Sequence, residues 1–351
     1  MTREGLWERL VAGGVVSGPL PGGEPTSSPW YVSAMVAVAA WIASIFLLVS
    51  LGIALPAVLR GGTGSLVTGA LTCAACAIVM RMRSDKLFVQ QFAVALSLAG
   101  QALLAHAILD AHWRSPERWL MFALVEAGLV VASPVYVHRV LSTIAAAYAV
   151  RFAFAHAGLG VMFAPLVAGA FVAAWSCLRT RPVEGALWRP VMAGVALVGL
   201  LFVPASLVDM LAWQVGKPPV GGVALAWAAA AILAGVLLVA IRGILHDTGA
   251  GPRSRTAGIA FAAGAGIALA AQPVPGLVVA LVVLLVAFHE GSRTLTGLAI
   301  AGMIGALVHH YYALDATLLA KPGALLATGA IVLVAGAAVG YGLADAETRR
   351  A

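Results

Sequence analysis

Long apolar runs separated by short polar turns govern the chain from residue 30 onward. Twelve runs are read, at 32–55, 64–80, 88–109, 119–137, 140–157, 159–178, 190–211, 222–242, 256–271, 275–289, 294–312 and 323–343. A membrane-spanning helix uses about 20 such residues. Runs nine and ten are short, and Gln272-Pro273-Val274-Pro275-Gly276 between them predicts a tight hairpin. Runs five and six are divided only by Ala157-Gly158. Ahead of the first run, Thr2 to Val16 carries Leu6, Trp7, Leu10 and Val11 on one side, the pattern of a short amphipathic helix at a membrane surface. A Gly/Pro-rich linker follows, and Pro29-Trp30-Tyr31 marks the water–lipid boundary. The expected layout is an N-terminal cytoplasmic segment 1–29, a transmembrane helical domain 30–344 and a cytoplasmic tail 345–351.

Composition narrows the solvent. The 351 residues are 62% hydrophobic and 10% charged, with 39 glycines and a mean hydropathy of +1.00. That leaves too little polar surface to coat a globule in water. The net charge of +7 is carried between the apolar runs, where it orients helices and meets anionic lipid headgroups. No nucleic-acid partner is expected. With the N-terminus inside, the strongest clusters, Arg81/Arg83/Lys86, Arg179/Arg181/Arg189 and Arg242/Arg253/Arg255, all fall on the cytoplasmic side. The expected fold is therefore an all-α polytopic bundle of about twelve (11–12) transmembrane helices with both termini cytoplasmic. Runs two and eight share an ending, Arg81-Met82-Arg83-Ser84-Asp85 against Arg242, His246 and Asp247, which hints at two parallel six-helix halves.

Each ionisable group inside an apolar run needs an account. Equal steps away from a turn centred at His138–Arg139 put Glu126 and Arg151 at one depth, so an ion pair is expected. Two readings stand, a structural clasp and a gate broken by substrate. In run three, Gln90, Ser97 and Gln101 share a helix face and read as interhelical hydrogen bonding or as a substrate lining. His106, Asp110 and Arg114 follow at i, i+4 spacing, a surface ion network or a proton relay. The block His309-His310-Tyr311-Tyr312, Asp315 and Lys321 reads as an aromatic belt or as a partner or ligand site. His289, Glu290 and Arg293 form an inside turn that Glu290 and Arg293 are expected to clasp. Cys73-Ala74-Ala75-Cys76 lies in a spanning run and reads as packed thiols rather than a redox motif. No Walker motif, metal-ligand spacing or nucleophile–base set occurs, so no cofactor or metal is expected and an enzyme is the least supported class. Ala262/Gly266 and Gly336/Gly340 are small-xxx-small pairs suited to close packing, within the chain or with a partner.

Four stretches carry a resemblance. They are Pro29-Trp30-Tyr31 with Ala40-Trp41-Ile42; Ser84-Asp85 through Gln91 with Ser97 to Leu103; Val137 to Ser142; and Gly291 to Leu295 with Tyr311 to Leu314, Thr317 to Leu319 and Lys321. In that order they resemble the bacterial membrane proteins carrying domain of unknown function 4401. Pro322 departs from the pattern, where a small polar residue is expected after the lysine. The resemblance implies the bacterial inner (cytoplasmic) membrane. It brings no established activity, and it implies a companion membrane protein named for a Gly-Asp-Tyr motif. Two functions are weighed: a component of a complex with that companion, and a secondary carrier for a small solute.

Overall fold

The structure, a computed structural model, describes residues 3–14, 16–18, 30–54, 62–82, 87–109, 115–201, 222–249, 251, 254–271 and 274–313. Within them lie twelve α-helices and no strand. They are α1 (Arg3–Ala12), α2 (Trp30–Ala54), α3 (Gly62–Arg81), α4 (Leu87–Leu109), α5 (Pro116–Ala132) and α6 (Tyr136–His156). Then come α7 (Phe163–Thr180), α8 (Gly185–Leu201), α9 (Gly222–Asp247), α10 (Arg255–Ala270), α11 (Pro275–His289) and α12 (Arg293–Ala313). Eleven of the twelve apolar runs therefore coincide with α2 to α12, and run 323–343 lies outside the described residues. By length and composition five segments can cross a membrane: Gly62–Arg81, Leu87–Leu109, Gly160–Thr180, Pro182–Leu201 and Gly222–Asp247. These five do not include α5 and α6, which carry the buried charges.

Helix ends follow local chemistry. Gly158 (φ +75°) and Gly291 (φ +68°) take the left-handed conformation just past α6 and α11. After α11, Ser292 N–H donates to Ala287 O (2.9 Å) and Gly291 N–H to Phe288 O (3.1 Å), a Schellman ending. Leu159 and Gly158 repeat it on Phe154 and Ala155. This is why so slight a break as Ala157-Gly158 separates two helices. The α5–α6 break falls earlier than the sequence reading placed it. Pro134 lacks an N–H and forces Ser133 into extended backbone (φ −83°, ψ 134°), so α5 stops at Ala132.

Packing forms two groups joined by α6. One buries Cys76, Met80, Ala93 and Val94 between α3 and α4. The other buries Phe163, Phe171, Trp175, Leu237, Val279 and Val282 among α7 to α12. Helix α7 is central to the second group, so the core does not divide after run six as the six-helix halves require. One shared helix ending reflected where arginines sit, not how helices pack.

Glycines set the closest crossings. A Cβ on Gly69 would lie 2.8 Å from Gly100 O, and one on Gly194 would lie 2.8 Å from Thr143 Cβ. Basic side chains gather at one end of the bundle. There Arg81 Nε–H donates to Ala132 O (2.9 Å), joining the C-terminal ends of α3 and α5. Arg139 joins the starts of α6 and α8 by donating to Ala186 O (2.6 Å). Pro190, four residues on, has no N–H for that carbonyl, and the guanidinium takes its place.

Candidate functional site: a buried polar cluster between α3, α4, α5 and α6

Ser97 and Gln101 lie one turn apart on α4, and His138 and Ser142 one turn apart on α6, so each pair shares a helix face. All four are buried. Ser97 Oγ lies 2.8 Å from His138 Nε2, and Gln101 Nε2 lies 3.2 Å from the same atom. The Gln101 amide also donates to Ser142 Oγ at 3.1 Å. With an amide N–H and a hydroxyl both turned to it, His138 Nε2 acts as acceptor. The ring is then neutral with its proton on Nδ1, an atom that finds no hydrogen-bond partner. From α3 the Cys73 thiol donates to Ser97 O (3.6 Å). Cys73 and Cys76 are free, and 4% and 3% exposed. In the folded protein a maleimide is therefore expected to label half-exposed Cys177 first and the other two only on denaturation. Mass spectrometry of the labelled peptides checks the order.

Glu126, on α5, joins the cluster fully buried, 0% exposed. It sits about 9 Å from the end of its helix, six residues at a rise of 1.5 Å. Neither carboxylate oxygen has a hydrogen-bond partner. The Ser142 hydroxyl is its favourable electrostatic neighbour, without hydrogen-bond geometry.

The expected Glu126–Arg151 ion pair does not form. The α5–α6 turn is centred on Pro134, not on His138–Arg139, and equal steps from Pro134 carry Glu126 to Ser142. Arg151 lies nine residues farther along α6, about 13 Å away along the axis. Its guanidinium is 5.2 Å from the Phe163 ring centroid. The same register stacks Trp119 on Phe152, with centroids 4.6 Å apart. Arg139, the cation nearest in sequence to His138, is committed elsewhere. Its Nε–H donates to Val130 O (3.0 Å) and to Ser133 O, closing the end of α5.

Other sequence candidates fall away from this cluster. Gln90 is half-buried on α4, two turns before Ser97 and so on the same helix face as Ser97 and Gln101. His106 is exposed. Asp110 and Arg114 lie outside the described residues, as do Asp315, Lys321 and the side chain of Tyr312, while Tyr311 is half-buried. Glu290 is not clasped by Arg293. It accepts the Trp175 indole N–H at 2.7 Å, and Arg293 is exposed. His289 instead joins Asp247 at 3.0 Å, and Arg179 bonds the same carboxylate, so α7, α9 and α11 are tied at the basic end. Sequence reasoning missed His138 and Ser142. Their i, i+4 spacing was visible, but placing the turn at His138 hid it; Pro134 was the signal. Among the described residues no group of three His, Cys, Asp or Glu is placed to hold a metal.

No curated protein and no solved structure matches the chain. The family model for a domain of unknown function, DUF4401, matches residues 29–341. That match takes in the buried cluster, the arginine-bearing helix ends and every described helix after α1, and on it the chain belongs to the DUF4401 family.

Proposed function

We propose that the protein is a multi-pass component of a membrane complex, docking a companion membrane protein through helix contacts within the bilayer. In this reading the chain crosses a bacterial inner membrane about twelve times with both termini cytoplasmic. The observation that carries it is the outer face of α10. Gly258, Ala262 and Gly266 recur every four residues there and are exposed, and among the described residues nothing lies within 4 Å of a Cβ added at either glycine. The same open pattern recurs on α12 at Gly297, Ala301 and Gly305, whereas Gly69, Gly100 and Gly194 each meet a neighbouring helix. An open small-residue stripe lets a partner helix approach closely, the main source of helix association where lipid removes the hydrophobic drive.

The test is co-purification with a companion membrane protein of the Gly-Asp-Tyr type. Gly258→Leu with Gly266→Leu is expected to reduce recovery of that partner about tenfold, equivalent to about 1.4 kcal/mol. The unfolding midpoint of the chain itself should stay unchanged. Unchanged recovery with a normally folded double variant sinks this reading. A second reading, a secondary carrier for a small solute, is favoured by the buried carboxyl of Glu126 within the α3–α6 cluster. It predicts solute uptake into vesicles that Glu126→Gln abolishes.

A further inference from the structure

We propose that Glu126 is an intramembrane proton-binding site, its carboxyl carrying an exchangeable proton at neutral pH. The inference stands apart from the partner reading, because it rests on α3 to α6 and not on α10. A carboxylate taken out of water needs a counter-ion, a metal or several donors, and without them it takes up a proton instead. Each alternative can be checked against the elements around Glu126.

From α3 come the Cys73 and Cys76 thiols, the first committed to Ser97 O, and Arg81, committed to Ala132 O at the end of α5. From α4 come Ser97 and Gln101, both neutral and both turned to α6. From α6 come the Ser142 hydroxyl, which accepts from Gln101; His138, whose Nε2 is occupied as an acceptor; Arg139, whose guanidinium is spent on backbone carbonyls; and Arg151, nine residues beyond Ser142 and beside the Phe163 ring. The charge that α8 carries, Arg189, is exposed. Among the described residues no cation faces Glu126, and neither of its oxygens has a hydrogen-bond partner. A proton needs no cavity beside the carboxyl, and the side chain is fully buried.

Release balances simply. The O–H bond of the Glu126 carboxyl breaks, the proton leaves, and the site gains one negative charge. His138 Nε2 is the buried base within the cluster that can hold a compensating proton. Taking one turns Nε2 into a donor, so Gln101 must present its amide oxygen in place of its NH2. Charge at Glu126 is thereby coupled to the hydrogen bonds that hold α4 against α6.

Infrared difference spectroscopy on the full chain in lipid nanodiscs tests this. The expected result is a carboxylic-acid C=O band at neutral pH that shifts in deuterium oxide, disappears as the pH is raised, and is lost in Glu126→Gln. The other glutamates with described side chains, Glu8, Glu117, Glu184 and Glu290, are exposed, so loss of the band in Glu126→Gln assigns it to the buried carboxyl. If Glu126→Gln fails to fold, carbon-13 labelling of glutamate in the unaltered protein assigns the same band by its isotope shift. Absence of the band overturns the proposal. So does a band that neither exchanges with deuterium nor titrates, since the proton would then be a fixed part of the fold. If the carboxyl is ionised and sodium chloride, but not choline chloride, raises the unfolding midpoint of the unaltered chain and not of Glu126→Gln, the site holds sodium and the proton assignment fails.

Discussion

Gly69→Val is expected to strip the protein of most of its folded yield. A Cβ at residue 69 would lie 2.8 Å from the Gly100 carbonyl oxygen and 3.0 Å from Leu104 Cγ. The first of these is backbone and cannot rotate away. The crossing is reciprocal, because a Cβ on Gly100 would meet Cys73 Sγ at 2.8 Å and Gly69 O at 3.0 Å. Helix α3 must therefore move off α4, taking the Cys73 thiol away from Ser97. Overpacking of this kind costs about 1–3 kcal/mol for a small group, and a branched side chain stands at the upper end or beyond. Total stabilities are only about 5–15 kcal/mol, so the loss is large. In lipid, moreover, no expulsion of water drives the separated helices back together. A thiol-reactive dye follows unfolding directly, since Cys73 and Cys76 are buried at this crossing. Gly128→Val is the control: nothing lies within 4 Å of its Cβ position, and its midpoint should hardly move. Equal losses in the two variants would dismiss the tight crossing.

The second large effect is expected at the basic end of the other packing group. Trp175 is 1% exposed and the largest fully buried side chain. Its ring fills the space over Gly243, where an added Cβ would lie 2.8 Å from Cη2. Arg179 sits 4.7 Å from the ring centroid, and the indole N–H donates to Glu290. Trp175→Ala removes all three contacts and leaves a cavity between α7 and α9. Such truncations cost about 3–5 kcal/mol in water-soluble cores. Part of that figure is transfer from water, which lipid does not supply, so about 2–4 kcal/mol is expected here. Trp175→Phe keeps most of the packing and loses the hydrogen bond. Glu290 can turn to water, so that variant should lose only about 1 kcal/mol. Thermal midpoints of the two variants check the order. A Phe variant as damaged as the Ala variant would mean that the Glu290 bond, not the packing, holds this end.

These two sites show unequal legibility. The helices themselves could be read from apolar runs, and α11 was placed to the residue because Pro275 opens it and Gly291 closes it. Membrane helices are legible in this way because each satisfies its own backbone, so no distant partner is needed to define it. Pairings across helices were far less legible. The Glu126–Arg151 pair was derived from a turn assigned to polar residues, His138 and Arg139. A side chain can be polar at the start of a helix, however, whereas Pro134 cannot continue one. A shift of about four and a half residues in the turn centre moves its partner by nine, about two and a half turns of helix. It exchanged a charged partner for the Ser142 hydroxyl. The Glu290–Arg293 clasp failed differently: neighbours in sequence were favoured over Trp175, which comes from another helix altogether.

What the amino-acid order determined alone was the solvent and the elements: lipid around apolar helices, basic residues at alternate turns, and glycine or proline where helices stop. What only the tertiary structure decided was which helices touch and which buried polar groups find partners. The α4–α6 hydrogen bonds, the closure of Gly69 on Gly100 and the solitary carboxyl of Glu126 are of this second kind. The reason is physical. Backbone bonding and hydropathy are satisfied within a single helix and so can be read from it, whereas contact between helices depends on rotation and depth set by every neighbour at once.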